Sequence, residues 1–358
     1  MRRILCVNFL IILVIAGMLY WTGEREKLVA AMAEAEASGE EEEDYIHWVD
    51  FNVSKFALSE AYEYDRDTYG TDAHIGWIDQ LAWTAAHTGG DFGNDRTVLQ
   101  YMEKLREEVE NGKTMDDLTG ELKYFSYYQE AYTAVLGGMV GEYEIEVPAE
   151  DGADGKTWEK RYGLKAFHPI AKGFPYSDYD DFGVSRSYGY KRNHLGHDMM
   201  GQIGTPVICV ESGYIEALGW NQYGGWRIGV RSFDKKRYYY YAHLRQGFPY
   251  QPELKEGSVV LAGDVIGYMG HTGYSAKEDV NNIDQTHLHF GMQLIFDESQ
   301  KEGNNEIWID CYQIVRFLHR NQSETSRNDE TKEWRRIYLM KDPAAEAYER
   351  TVDFSMYP

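Results

Sequence analysis

Thr286-His287-Leu288-His289-Phe290-Gly291-Met292-Gln293-Leu294 is the stretch on which the reading of this chain turns. In a strand, successive side chains point to opposite faces, so His287, His289, Gly291 and Gln293 share one face and Leu288, Phe290, Met292 and Leu294 the other. The apolar set belongs to a core. That leaves two imidazoles together on the polar, groove-facing side, suited to one metal ion or to one ligand and one base.

Working outward, short runs at Pro206-Val210, Tyr214-Leu218, Trp226-Arg231, Arg237-Ala242 and Val265-Met269 are bounded by Gly-, Asn- or Asp-containing turns. This pattern predicts a mainly antiparallel β domain. Two further histidine-bearing segments fall in the same region, Asn193-His194-Leu195-Gly196-His197-Asp198 and Tyr241-Ala242-His243-Leu244. A lone histidine on a strand is more often a surface or satisfied core residue, so the three segments are weighed together. Parity separates His194, Gly196 and Asp198 from Leu195 and His197, whether the segment is extended or locally turned. Gly196 argues against a helix and permits close approach of backbone to a metal. His194, Asp198 and His289 then make two neutral imidazoles and one carboxylate, a three-ligand Zn2+ set that leaves a position for water. A site of that charge acidifies water toward neutrality, as a peptide hydrolase requires. His197 has the wrong parity and is read as structural.

Upstream, residues 45–142 place apolar side chains at helical spacing, as in Leu99, Met102, Leu105 and Val109, with Gly89-Gly90 and Asn111-Gly112 as punctuation. Four or five helical segments are predicted. Their Tyr and Trp face reads as core, with a wall-binding or partner-protein surface as the sharper alternative. The run Ile4 to Trp21, preceded by Arg2 and Arg3, is long enough to span a bilayer and predicts an uncleaved anchor with everything after Thr22 outside. A cleaved signal peptide is the competing reading. Downstream of the β region, Trp308, Cys311, Tyr312, Val315 and Leu318 make the apolar stripe of a terminal helix.

Composition bounds the rest. Hydrophobic residues at 43% and aromatics at 15% supply real cores, and a net charge of −23 argues against a nucleic-acid partner. Three cysteines, Cys6, Cys209 and Cys311, make no disulfide framework; the latter two read as buried thiols.

The His194-x-Gly196-x-Asp198 segment, Tyr241-Ala242-His243, the Gly270-His271-Thr272-Gly273-Tyr274-Ser275 turn and His287-x-His289-Phe290 occur in the order seen in lysostaphin/LytM-type peptidoglycan metalloendopeptidases, and residues 162–296 resemble that family. The resemblance implies a small β-sheet core with an open groove, His194, Asp198 and His289 on zinc, and His243 and His287 as the catalytic histidines. His287 is then the general base, and His243 orients water or stabilises an oxyanion. One departure is the polar connection from Ala276 to Thr286, longer than the family usually has, which puts the groove's shape in question.

The organisation that follows is α+β and multidomain: a transmembrane anchor at 1–22, an acidic spacer at 23–44, a helical domain at 45–142, a linker at 143–160, a LytM-like metallopeptidase domain at 161–320 and a charged tail at 321–358. The expected function is zinc-dependent hydrolysis of peptide bonds in peptidoglycan, in cross-links or stem peptides, outside the membrane. The alternative is a wall- or partner-binding scaffold of the same fold with little or no activity.

Overall fold

The computed structural model describes residues 46–149, 155–187, 191–303 and 305–351. Among these, five helices precede the first strand, and their ends are written in the sequence. The Ser54 hydroxyl accepts from the Ala57 N–H to open α1 (Lys55–Thr68). Helix α2 (Trp77–Thr88) stops at Gly89, whose φ of 66° lies where a Cβ is disfavoured. Asn94 caps α3 (Asp95–Glu110), which buries Val98, Met102 and Leu105 at helical spacing. A Thr114–Asp117 capping box opens the short α4 (Met115–Thr119). Helix α5 (Phe125–Leu136) buries Tyr128, Tyr132, Val135 and Leu136. Trp77 and Trp83 are buried as well, so the aromatic face of this region is core.

Strands β1 (Val140–Pro148) and β2 (Lys156–Leu164) follow, paired antiparallel from Val140 opposite Leu164 to Pro148 opposite Lys156. The linker expected over 143–160 is thus largely sheet. Tyr143, Ile145 and Val147 alternate with glutamates that meet Lys156, Lys160 and Lys341 across the strands. The Gly/Asp cluster that suggested a linker lies mostly at 150–154, outside the described residues.

The main sheet is built from β3 (His197–Met200), β4 (Gly213–Asn221), β5 (Gly225–Ser232), β6 (Arg237–Ala242) and β7 (His287–Leu294), antiparallel in the order β4-β5-β6-β7-β3. A further strand, β8 (Ile307–Ile309), also pairs with β7. Leu288, Phe290, Met292 and Leu294 are fully buried on one face of β7. Trp308 belongs to β8, and helix α6 begins only at Tyr312 (Tyr312–Leu318), so the expected stripe is split between a strand and a helix.

The charged tail is structured. Strands β9 (Thr325–Arg327) and β10 (Trp334–Arg336) form a hairpin. Strand β11 (Met340–Lys341) adds to β1, and α7 (Pro343–Thr351) follows. Met340 is buried in a small second core with Tyr143, Phe167, Ile208 and Tyr268, and Trp334 packs against it. Only a few apolar side chains make these contacts, too few to write a period into the sequence.

Helices and sheet share one hydrophobic core, in which Leu58, Leu81 and Tyr132 join Ile228, Tyr239 and Phe290. A buried charge network ties them further. The guanidinium of Arg237 donates to the carbonyls of Thr133 (3.2 Å) and Ala134 (2.7 Å) near the C-terminal end of α5, and pairs with Glu211 (2.8 and 3.1 Å) and Asp234 (2.7 Å). The Tyr239 hydroxyl also donates to Glu211, at 2.5 Å. Burial opposes the Arg237 charge, but Glu211 and Asp234 outweigh it and raise the group's pKa. Cys209 and Cys311 are free and buried. Among the described residues no helix is long and apolar enough to cross a membrane. The anchor expected at 1–22, the spacer at 23–44 and Cys6 lie outside the described residues.

Candidate metal centre

Register brings the site together. His289 on β7 pairs directly with Asp198 on β3 and, on its other side, with Ala242 on β6, immediately before His243. His194, just before β3, reaches back over the same edge. His194 Nε2 lies 3.0 Å from Asp198 Oδ1 and 3.0 Å from His289 Nδ1, and His289 Nδ1 lies 2.8 Å from Asp198 Oδ1. All three residues are positioned to offer one ligand atom each to a single ion.

The donor set fits a cation. His194 Nδ1 faces only acceptors, the Asp181 carbonyl at 3.3 Å and Asp181 Oδ1 at 3.1 Å, so it carries the hydrogen and Nε2 presents a lone pair. Burial would raise the Asp198 carboxyl, but the close contacts of His194 and His289 and the imidazoles of His289 and His287 hold it far below the usual carboxylate range. Burial lowers the pKa of His289 more than Asp198 raises it. Lone pairs crowded to 2.8–3.0 Å repel unless a proton or a metal ion sits among them, and two imidazoles with one carboxylate are a zinc-type set.

Arg186 donates to Asp198 Oδ2 at 2.7 Å and also pairs with Asp181, leaving Oδ1 toward the histidines. This Arg186–Asp181 clamp orients both Asp198 and His194. Sequence reasoning missed it, because two charged residues outside any hydrophobic period leave no mark in spacing.

The other two histidines stand beside the cluster. His243 has a φ of 61°, donates its backbone N–H to the Gly224 carbonyl at 2.8 Å, and places its ring centroid 4.7 Å from that of His287 and 5.8 Å from that of His289. Its Nδ1 lies 3.0 Å from the Thr272 carbonyl, which can only accept, so Nδ1 carries the hydrogen and Nε2 is the acceptor. Burial, followed by the nearby His287 and His289 rings, holds its pKa well below the ordinary value. The glycine-flanked turn at 270–275 serves this ring: the Thr272 hydroxyl donates to the Leu244 carbonyl at 2.6 Å and accepts from the Trp226 N–H at 3.1 Å, which fixes the carbonyl beside His243. His287 Nδ1 lies 2.8 Å from the Gln285 carbonyl, and its Nε2 lies 3.7 Å from Asp198 Oδ2. His197 faces away, bonded through Nε2 to Asp178 at 2.9 Å and packed edge-on against Tyr312.

A groove of about 640 Å3 opens from the cluster along the sheet, lined among others by Arg186, Arg227, Tyr238, Tyr240, Tyr274 and Trp308. None of residues 276–286 lines it. That connection is pinned by Asp279 accepting from Trp226 Nε1 (2.8 Å) and the Gly247 N–H (2.9 Å), and it touches the groove wall only from behind, where Asn282 donates to the Tyr274 carbonyl at 2.7 Å.

Residues 192–303 match the model for Peptidase family M23. An L-Ala--D-Glu endopeptidase of Bacillus subtilis (strain 168) is 34% identical over 165 residues, 46% of this chain and 47% of that protein. Lysostaphin of Staphylococcus simulans is 36% identical over 120 residues, 33% of this chain and 20% of lysostaphin. The crystal structure of a lytM protein of Ruminococcus gnavus is 24% identical, with a TM-score of 0.48, covering 78% of this chain and 92% of that one. The chain spans about half the length, or less, of the curated relatives it matches. Its β region is a peptidase family M23 domain of the lysostaphin/LytM type.

Proposed function

We propose that this chain is a zinc-dependent endopeptidase that hydrolyses peptide bonds of cell-wall peptidoglycan. The observation that carries the reading is the convergence of His194 Nε2, Asp198 Oδ1 and His289 Nδ1 on one point beside His243 and His287. Zinc held by those three supplies Lewis acidity and a lowered pKa for water. The chain's own groups do the rest. His287, its Nδ1–H committed to the Gln285 carbonyl, keeps Nε2 free to take the proton of attacking water. His243, neutral and with its hydrogen on Nδ1, is an acceptor at Nε2, which suits holding water better than donating to an oxyanion. Asp181 and Arg186 hold the ligands still.

The relative covering the larger share of this chain is named for an L-Ala--D-Glu bond, which supports a stem-peptide substrate. Arg227 in the groove wall, without an ion pair among the described residues, suits the carboxylates such peptides carry. The apolar run from Ile4 to Trp21 supports a membrane anchor that leaves the catalytic region outside the cell membrane.

Digestion of isolated wall by the purified protein, with mass analysis of the fragments, tests the reading. Release should stop with chelator and return with zinc, leaving new amino-terminal Glu. Zinc bound without any release would establish the inactive scaffold instead, and new amino-terminal Gly would move the bond to an interpeptide bridge. Protease added to intact cells should degrade the catalytic region if the anchor holds it outside.

A further inference from the structure

Away from the groove, the β9–β10 hairpin brings a second set of charges together. Arg245, Arg327 and Lys332 line a pocket of about 340 Å3 with Phe248, Thr331 and Trp334 among its walls, and no lining residue is acidic. None of these residues lines the catalytic groove. In a chain of net charge −23, three cations lining one pocket with no carboxylate in its wall stand out. Burial opposes the charge on Arg245 most, and the like charge of Arg327 opposes it further. Among the described residues none of the three forms an ion pair. The carboxylates of Glu253 and Glu333 are engaged by Arg335, and Asp329 and Glu330, in the same turn as Lys332, do not line the pocket.

Each cation is held in place by something other than an anion. The Arg245 guanidinium stands 5.2 Å from the Phe248 ring centroid and 4.8 Å from that of Tyr268, and its Nε donates to the Phe248 carbonyl at 3.2 Å. That leaves both terminal NH2 groups for a ligand. Lys332 has a φ of 64°, a conformation that favours glycine. The turn is made by Asn328, whose Oδ1 accepts from the Glu330 and Thr331 N–H groups at 2.8 and 3.0 Å and whose carbonyl accepts from the Lys332 N–H at 2.9 Å. The Lys332 ammonium donates to the Asp329 carbonyl, and Arg327 Nε donates to the Lys332 carbonyl at 3.5 Å, so the hairpin itself holds both side chains.

We propose that this pocket binds a phosphate group, with Arg245 as the preorganised fork, Arg327 and Lys332 as flanking charges, and Phe248 and Trp334 as walls for the organic part of a phosphodiester. A lone carboxylate would leave most of the positive charge unanswered, whereas successive phosphates of a phosphodiester chain answer several cations in turn. The site would hold a phosphate-bearing polymer or lipid headgroup while the groove, on separate residues, works on peptide.

The test is calorimetric titration of the full-length chain, in a neutral detergent at fixed ionic strength, with an oligomer of glycerol phosphate. Saturable binding is expected, weakened at least tenfold in Lys332→Gly and in Arg327→Gln. Lys332→Gly relieves the left-handed conformation, so its melting temperature should match or exceed the parent's. Lys235→Gly is the control: it removes the same charge from another left-handed lysine, with a φ of 62°, outside the pocket, and should bind as the parent does. Micelles doped with phosphatidylglycerol distinguish the source, since a headgroup ligand competes with the oligomer and a wall polymer is left undisturbed. No saturable binding by the parent, full binding by Lys332→Gly, or equal weakening by Lys235→Gly would each overturn the assignment.

Discussion

Gly196 and His289 are in contact as closely as the chain allows: a Cβ placed on Gly196 would lie 2.6 Å from His289 Cε1 and 2.7 Å from its Nε2. The glycine is required by the ring beside it, which fixes the orientation that aims Nδ1 at Asp198. Phe290's carbonyl, 2.9 Å from the same point, closes the other way out. Gly196→Ala should therefore push the His289 ring aside and cut zinc occupancy by on the order of tenfold to a hundredfold, the range typical when a ligand loses its support. Metal analysis of the purified variant checks it, with a circular-dichroism spectrum like the parent's. Full occupancy would mean that the strand shifts to accommodate the methyl group.

Arg237 supports a prediction about stability. Its side chain is buried and spans the β6 strand, Glu211 and the end of α5. Arg237→Met should destabilise the protein by about 3–5 kcal/mol, because it strands a buried carboxylate and two helix carbonyls. Adding Glu211→Gln should recover part of that loss, so the double variant melts above the sum of the two single losses. Additive losses in denaturant titration would show that the two groups are energetically independent.

The two readings that parity made possible differ in how far they reach. Along β7 a period of two runs unbroken for eight residues, and the same strand then supplies both a core face and two histidines, so fold and site are legible together. His194, Asp198 and His289 are adjacent because β3 pairs with β7 in a register no local pattern states; parity and the order of the motifs pointed to the three side chains but not to that pairing. The β1–β2 pair was passed over although Tyr143, Ile145 and Val147 alternate with glutamates in strand period, because the Gly/Asp/Pro-containing run from 148 to 155 drew the whole segment into a linker. Arg186 and the hairpin carrying Arg327 and Lys332 were hidden for another reason: their partners are far away in sequence, and a charged residue reads the same on a solvated face as beside a ligand.

His168 makes a prediction about pH. It is fully buried, its Nδ1 accepts from the Ile170 N–H at 3.1 Å, and burial lowers its pKa from 6.5 to about 4. The folded value lies below the unfolded one, so between about pH 6.5 and 4 the unfolded chain binds more protons and stability rises with pH. The contribution is fully present above 6.5 and is lost as pH falls to about 4, amounting to as much as about 3 kcal/mol. Unfolding by urea across that range should show the slope. His168→Asn, which keeps an acceptor for the Ile170 N–H without a titratable ring, should flatten it; an unchanged slope would assign the effect to another group.

The last prediction separates two histidines that share a strand face two residues apart. His289 Nδ1 belongs to the ligand cluster, 2.8 Å from Asp198 Oδ1, while the nearest approach of His287 to that carboxylate is 3.7 Å, with its Nδ1 spent on the Gln285 carbonyl. His289→Ala should therefore lose most bound zinc and wall-digesting activity together. His287→Ala removes a proton acceptor only, so zinc should stay bound while turnover falls by on the order of a hundredfold or more. His197→Ala is the internal control, since its ring pairs with Asp178 on the other face; it should cost about 1–3 kcal/mol of stability and leave zinc in place. Zinc content and digestion rate measured on the three purified variants decide the matter. If His287→Ala loses its metal while His289→Ala keeps it, the two roles are exchanged, and if His197→Ala alone empties the site, the face assignment of the whole 194–198 segment is wrong.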